Sequence, residues 1–254
     1  VVRRGKDMEQ INRKESYKII VSGDSISKGI VYDEAKRKYI ILEENYVDLL
    51  RGKLKGIIQN TSRFGNTIIK GITKLKSQIF DDKPDIVLIE YGGNDCDFNW
   101  EEIAKDPHAN HIPRTDFGVF ESSLRETIEL LKNKKIVPVL MTLPPLNADM
   151  YFEWISKSSS TAKSNILKWL GSITKIYWWQ ERYNSVIIKI AEETQTKWID
   201  IRGAFLQQPD YTKCLCIDGI HPNKEGHKII ADKIMEFIKN KYDFLLVEDL
   251  RTGF

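Results

Sequence analysis

The sequence predicts an α/β fold, a parallel sheet with helices on both faces. Three observations carry this. Five short runs of β-branched and apolar residues recur along the chain, most of them stopped by glycine or proline. Segments with helical apolar spacing lie between them. Most of the strand runs are near-continuously apolar rather than alternating, as strands covered on both faces are. Strands and helices that alternate in this way build crossover units, which set neighbouring strands parallel.

The elements follow in chain order. Residues 1–13 are polar and charged and are expected to fray ahead of a single domain, 14–254. Tyr17–Ser22 (YKIIVS) is the first strand, stopped by Gly23, and Gly56–Asn60 (GIIQN) is a weaker second. Ile68, Ile72, Leu75 and Ile79 then share one helical face, with Asn66 or Thr67 available as cap. Asp85–Tyr91 (DIVLIEY) is the third strand, stopped by Gly92-Gly93, and Phe117, Phe120, Leu124, Ile128 and Leu131 line the next helix. Ile136–Thr142 (IVPVLMT) is the fourth strand, ahead of Pro144-Pro145, and Lys197–Ile201 (KWIDI) the fifth, ahead of Gly203. Ile229, Ile230, Ile234, Phe237 and Ile238 line a final helix after Pro222-Asn223.

Residues 146–195 are far longer than one crossover helix needs, so they are read as an extra helical insertion between strands four and five. The insertion holds Trp154, Trp169, Trp178 and Trp179, four of the six tryptophans, with Tyr151, Phe152 and Tyr177. Burial against the sheet accounts for most such rings, and some are expected to wall a cleft.

Composition narrows the function. With 254 residues and 41% hydrophobic content, one core can bury roughly 70–75% of the unfolded surface. The 39 basic and 36 acidic residues are spread along the chain, leaving no basic tract to grip nucleic acid. No apolar run is long enough for a membrane span, and the N-terminus shows no signal-peptide stretch. The expectation is therefore a cytoplasmic protein, although a start at Val1 leaves room for a removed leader. Cys96, Cys214 and Cys216 lack the spacing of a structural zinc site and are expected to be reduced thiols.

In a doubly wound sheet, ligands bind beyond the carboxyl ends of the strands. The segments there are Gly23-Asp24-Ser25-Ile26-Ser27, Arg63-Phe64-Gly65-Asn66 and Gly92-Gly93-Asn94-Asp95, with Asp218-Gly219-Ile220-His221-Pro222 ahead of the last helix. A serine hydroxyl needs a neighbouring base to become a nucleophile. Of the four histidines only His221 has a carboxylate three residues before it, so Asp218 can fix its tautomer and leave the other ring nitrogen for Ser25. Attack on an ester carbonyl creates an oxyanion that needs preset donors. The Ser25 N–H, the Gly65 N–H and the Asn94 amide are three, and glycine at 65 lets backbone approach closely. Asp24 and Asp95 are read as loop ties, and His108, His111 and His227 as surface residues.

These four segments resemble the motif blocks of the SGNH hydrolases, the GDSL-type esterases and lipases, over about Tyr17 to Tyr242. Ile26 stands where the family name has Leu, one aliphatic for another. The segments around 93–100, 143–154 and 165–183 are also similar to a bacterial subgroup of GDSL-like acylhydrolases. The resemblance implies a flavodoxin-like three-layer α/β/α sandwich with a five-stranded parallel sheet. It also implies a catalytic triad of Ser25, Asp218 and His221 and an oxyanion hole of Ser25, Gly65 and Asn94. No cofactor or metal is implied.

Rival readings lack their signatures. Neither G-x-G-x-x-G nor G-x-x-x-x-G-K-[ST] occurs, and G-x-S-x-G fails at Ser27. A metallohydrolase would need more ligands than Asp218 and His221. A catalytically inactive carbohydrate-binding protein on this scaffold would have no use for Ser25, Asp218 and His221. The substrate expected is a short-chain ester, acetyl above all, on a polar alcohol such as a sugar, with Arg63, Trp154, Trp178 and Trp179 as candidate contacts. A lipase or thioesterase for longer acyl chains is the alternative. It would need a large apolar face, whereas Lys157–Thr161 and Lys163–Asn165 break the insertion's aromatic groups with polar residues.

Overall fold

The computed structural model describes residues 13–251, so all of the expected N-terminal tail except Arg13 lies outside the described residues. The first strand, β1 (Tyr17–Gly23), runs into the one-turn helix α1 (Ser25–Lys28). A hairpin of β2 (Ile30–Asp33) and β3 (Lys38–Ile41) and the short α2 (Tyr46–Leu50) lead to β4 (Gly56–Asn60). Then come α3 (Ile68–Asp82), β5 (Ile86–Glu90), α4 (Trp100–Lys105), α5 (Phe117–Asn133) and β6 (Val137–Met141). The insertion forms α6 (Ala148–Ile155), α7 (Ser160–Leu170) and α8 (Thr174–Glu193), followed by β7 (Lys197–Ile199), α9 (Ile201–Leu206) and α10 (Lys224–Lys241).

The main sheet has the order β4-β1-β5-β6-β7, with every pairing parallel. Its two faces are sorted by the period-two alternation of strand side chains. Ile19, Val21, Leu88, Val139 and Ile199 pack on α2, α9 and α10, through Leu50, Phe205, Ile230 and Ile234 among others. Ile20, Val87, Ile89 and Leu140 face the other way, onto α3, α5 and α8. This is the expected three-layer sandwich. A third cluster sits apart, where α4 supplies Trp100 and Ile103 to pack against Tyr151 and Phe152 of α6 and Ile166 of α7. The insertion therefore builds a small core of its own with α4.

Several expectations need correction. The fifth strand ends at Ile199; Ile201 and Gly203 lie in α9, because Asp200 caps that helix by accepting from the Gly203 N–H at 2.8 Å. Neither Asn66 nor Thr67 caps α3 through its side chain; the Asp95 carboxylate does so from another loop, accepting from the Ile68 N–H at 3.0 Å. Asn165, in one of the polar breaks of the insertion, donates to the Ala104 carbonyl at 2.8 Å and ties α7 to α4. Among the described residues no helix is long and apolar enough to cross a membrane.

Candidate active site

The loop after β1 sets the first piece. Asp24 caps α1, its Oδ1 accepting from the Ile26 N–H at 2.9 Å, which fixes Ser25 as the first helical residue. A Cβ on Gly23 would lie 2.6 Å from Ser27 Oγ and 2.8 Å from the Glu90 carbonyl oxygen, so this turn closes only on glycine.

The second piece is the turn 218–221. Asp218 Oδ1 accepts from the backbone N–H groups of Ile220 at 3.0 Å and His221 at 3.1 Å, a local side-chain-to-backbone tie that bends the chain back. Gly219 has φ +73°, and a Cβ there would meet Met150 Cβ at 2.7 Å and the Asn147 carbonyl oxygen at 2.9 Å. The Cys216 N–H donates to the His221 carbonyl at 2.7 Å and closes the loop.

These two pieces meet. Asp218 Oδ2 lies 2.6 Å from His221 Nδ1, and His221 Nε2 lies 2.9 Å from Ser25 Oγ. All three side chains are buried. Burial works to raise the Asp218 carboxyl, but the bond and charge of His221 and the two backbone N–H groups outweigh it and hold it below the ordinary carboxylate value. The carboxylate thus stays charged, and such a chain can draw a proton from the serine hydroxyl.

Gly65 and Asn94 line the same cleft as Ser25 and His221. Gly65 has φ +72°, and a Cβ there would meet nothing within 4 Å, so glycine is required for the left-handed backbone rather than for close packing within the protein. The Asn94 amide donates to Asp24 Oδ2 at 3.1 Å, which fixes its orientation. Asp24 thus ties a loop, as expected, and also holds a candidate oxyanion donor.

Behind Asp24 lies a residue that sequence reasoning missed. Glu90, fully buried at the end of β5, accepts from Ser27 Oγ at 2.8 Å, and Ser27 Oγ in turn meets Tyr46 Oη at 2.7 Å. Burial and then the neighbouring Asp24 push Glu90 well above its usual value, and burial also raises Asp24. Of the two, Glu90 is the one that its surroundings push further toward the neutral form. A glutamate closing the apolar run IVLIE ahead of Gly92-Gly93 was the signal available for it.

Tyr39 was missed as well. Its hydroxyl donates to Asp218 Oδ2 at 3.0 Å, and its ring centroid is 5.2 Å from that of His221. It stands on a hairpin to which the sequence reading assigned no element.

The cleft measures about 700 Å³. Trp154 and Trp179 line it, together with Tyr39, Phe64 and Tyr151. Arg63 and Trp178 do not: Arg63 is exposed on its loop, and Trp178 is 45% exposed on α8, turned off the cleft that its neighbour Trp179 faces. Deeper along the wall, Asp97 Oδ1 accepts from Trp100 Nε1 at 2.7 Å and Tyr151 Oη at 2.8 Å, and Arg114 stands 3.3 Å from Oδ2.

The other histidines differ from expectation in one respect. His108 is exposed and His111 half-buried against Trp169, but His227 is fully buried, stacked on Tyr46. Desolvation lowers its pKa to about 4 and keeps it neutral. The three cysteines are free and buried. Among the described residues no group of three or more His, Cys, Asp or Glu could hold a metal ion.

Comparison with known proteins places the chain among esterases and acylhydrolases in sequence and fold. The GDSL esterase/lipase WDL1 of Oryza sativa subsp. japonica is 25% identical over 189 residues, covering 73% of this chain and 64% of that protein. The chain thus spans somewhat under two thirds of that plant relative. The acetylxylan esterase of Geobacillus stearothermophilus is 24% identical over 228 residues, covering 84% of this chain and 90% of the relative. Among solved structures, a lipase/acylhydrolase from Enterococcus faecalis superposes with a TM-score of 0.64 at 21% identity, over 89% of this chain and 96% of that one. A catalytic mutant of the Geobacillus acetylxylan esterase gives 0.62 at 20% identity, over 93% and 100%. The family profile itself matches residues 21–229, which take in Ser25, Gly65, Asn94, Asp218 and His221. On that match, the chain belongs to the GDSL-like lipase/acylhydrolase family.

Proposed function

We propose that the protein is a carboxylic ester hydrolase that works through an acyl-enzyme on Ser25. The observation that carries this is the hydrogen-bonded run from Asp218 through His221 to Ser25, at 2.6 and 2.9 Å. Ser25 Oγ attacks the ester carbonyl carbon as His221 Nε2 takes the hydroxyl proton. The carbonyl π-electrons move onto oxygen, where the Ser25 N–H, the Gly65 N–H and the Asn94 amide stabilise the charge. Collapse of the tetrahedral intermediate breaks the bond to the alcohol oxygen, which leaves with the proton held by His221. A water, deprotonated by the same nitrogen, then attacks the acyl carbon and releases the acid and free Ser25.

The preferred substrate is a short acyl group, acetyl above all, on a polar alcohol such as a sugar. Trp154, Tyr151 and Trp179 offer flat faces along a cleft whose volume suits a ligand well beyond an acetyl group, so the extra room serves the alcohol. Asp97, Arg114 and Gln180 add polar groups to the same walls. The relative with 90% of its length matched is named an acetylxylan esterase, which supports the same choice.

The test is a nitrophenyl ester series from two to twelve carbons, with labelling by a fluorophosphonate. One adduct is expected, on Ser25, and Ser25→Ala should lower kcat by at least about 10⁴ while the protein stays folded. An adduct elsewhere, or turnover surviving Ser25→Ala, would overturn the nucleophile. A rate that peaks at eight carbons or longer would replace the short-acyl reading with a lipase.

A further inference from the structure

We propose that Tyr39 is a positioning residue for the catalytic turn: its hydroxyl holds the Asp218 carboxylate and its ring holds the His221 imidazole. The proposal rests on Ser25, His221 and Asp218 acting as above and concerns a residue outside the four motif blocks.

An ionised carboxylate offers about four acceptor sites. At Asp218 four donors fill them. Oδ1 takes the Ile220 and His221 N–H groups, and Oδ2 takes His221 Nδ1 and Tyr39 Oη. Three of these donors belong to the turn 218–221 itself and would travel with it. Among the described residues, only Tyr39, 179 residues away in sequence, ties the carboxylate to another part of the molecule. The phenol is a dependable donor, because burial and the charge of Asp218 raise its pKa far above any working pH.

The ring does a second job. The imidazole is contacted by Tyr39 edge-on at 5.2 Å and by Phe64, nearly parallel, at 6.1 Å, which leaves it little room to rotate. Tyr39 is itself braced by Phe64 at 5.3 Å, by its cross-strand partner Tyr32 at 5.3 Å and by Trp154 of α6 at 6.1 Å. The hairpin thus delivers one side chain that touches both the acid and the base.

There is an electronic consequence. His221 Nδ1–H and Tyr39 Oη–H share one oxygen, so each draws on less of its charge than it would alone. Removing the phenol hydroxyl leaves Oδ2 to the histidine and strengthens that bond, while freeing the turn to move.

Tyr39→Phe separates these effects because the ring stays. With an unchanged melting temperature, kcat for nitrophenyl acetate should fall about tenfold, the size expected for one hydrogen bond to a charged group, with KM within about twofold. The acid limb of kcat/KM should move to higher pH, and the far-downfield proton resonance of the His221–Asp218 bond should move further downfield. Tyr32→Phe, whose ring braces Tyr39 without reaching Asp218, should leave limb and resonance in place. An unmoved limb and resonance in Tyr39→Phe would overturn the proposal and leave Tyr39 as cleft wall only. If the wild-type protein turned over no ester and took no label on Ser25, the functional reading would fail, yet the resonance would still decide whether Tyr39 tunes the Asp218–His221 bond.

Discussion

On one side of the cleft, Ser25, Asn94 and His221 stand on or beside short segments that fold on themselves. Asp24 bonds two residues ahead, Asp218 bonds two and three ahead, and Cys216 closes on His221. On the other side, Trp154, Tyr151 and Trp179 come from an inserted set of helices and are held through ring contacts and long-range bonds. Mechanistic precision and substrate fit thus rest on different physics. The chemical side is fixed by short polar ties whose geometry allows little slack, while the opposite wall is fixed by packing, which tolerates change more readily.

That contrast predicts unequal losses. The largest belongs to the polar side. Asn94→Ala should lower kcat by about 10²–10³, the cost of one oxyanion donor, with circular dichroism unchanged. A variant within a few-fold of wild type would mean that Asn94 only shapes its loop, and the two walls would then differ less than described.

The packed wall should give smaller effects, and in KM. Trp154→Ala should raise KM for an acetylated oligosaccharide about 2- to 10-fold, the value of one aromatic contact, with kcat nearly kept. Trp178→Ala should leave both constants within about twofold, since that ring lies off the cleft. Equal losses at the two positions would show that the wall acts through general stability rather than through contact with the substrate.

The smallest effect lies beneath the polar side and is one of slope. Glu90 has a raised pKa in the folded protein, so folded chains keep its proton at pH values where unfolded chains, with a glutamate near 4.3, have lost it. Its contribution is complete below that unfolded value and is lost as pH rises toward the folded one. Glu90→Gln stays neutral throughout and can still accept from Ser27. Its melting temperature should therefore fall less steeply than that of wild type as pH rises above about 5. Parallel curves would show that Glu90 is ionised in the native state.

The same division governs what could be read from the sequence. Ser25, Gly65, Asn94, Asp218 and His221 were legible because each lies in a short segment with its own turn chemistry, and the sheet order brings strand ends to one edge. The five strands were legible for a similar reason, their apolar runs being local. The hairpin was not. Its strands are only four residues each, with no residue of β3 buried, and Tyr39 meets Asp218 only across 179 residues. Arg63 and Trp178 failed for the converse reason: residue type made them candidates, but the direction in which a side chain points is set by packing partners that no local pattern reveals. His227 was misplaced on the same account, its burial depending on α2, which lies far off in the chain.

One seat in the molecule bears on re-engineering. Gly219, inside the turn that carries His221, rests directly on the start of α6, with its carbonyl accepting from the Asn147 N–H at 2.8 Å and no space for even a methyl group between them. The proposed base is therefore mounted on the same insertion that walls the cleft. A graft that exchanged residues 146–195 for another loop to change the alcohol accepted would also shift the histidine. A chimera should keep the Leu146–Tyr151 junction and vary only what lies beyond it, since the joint between the two parts is a bearing surface, not a hinge.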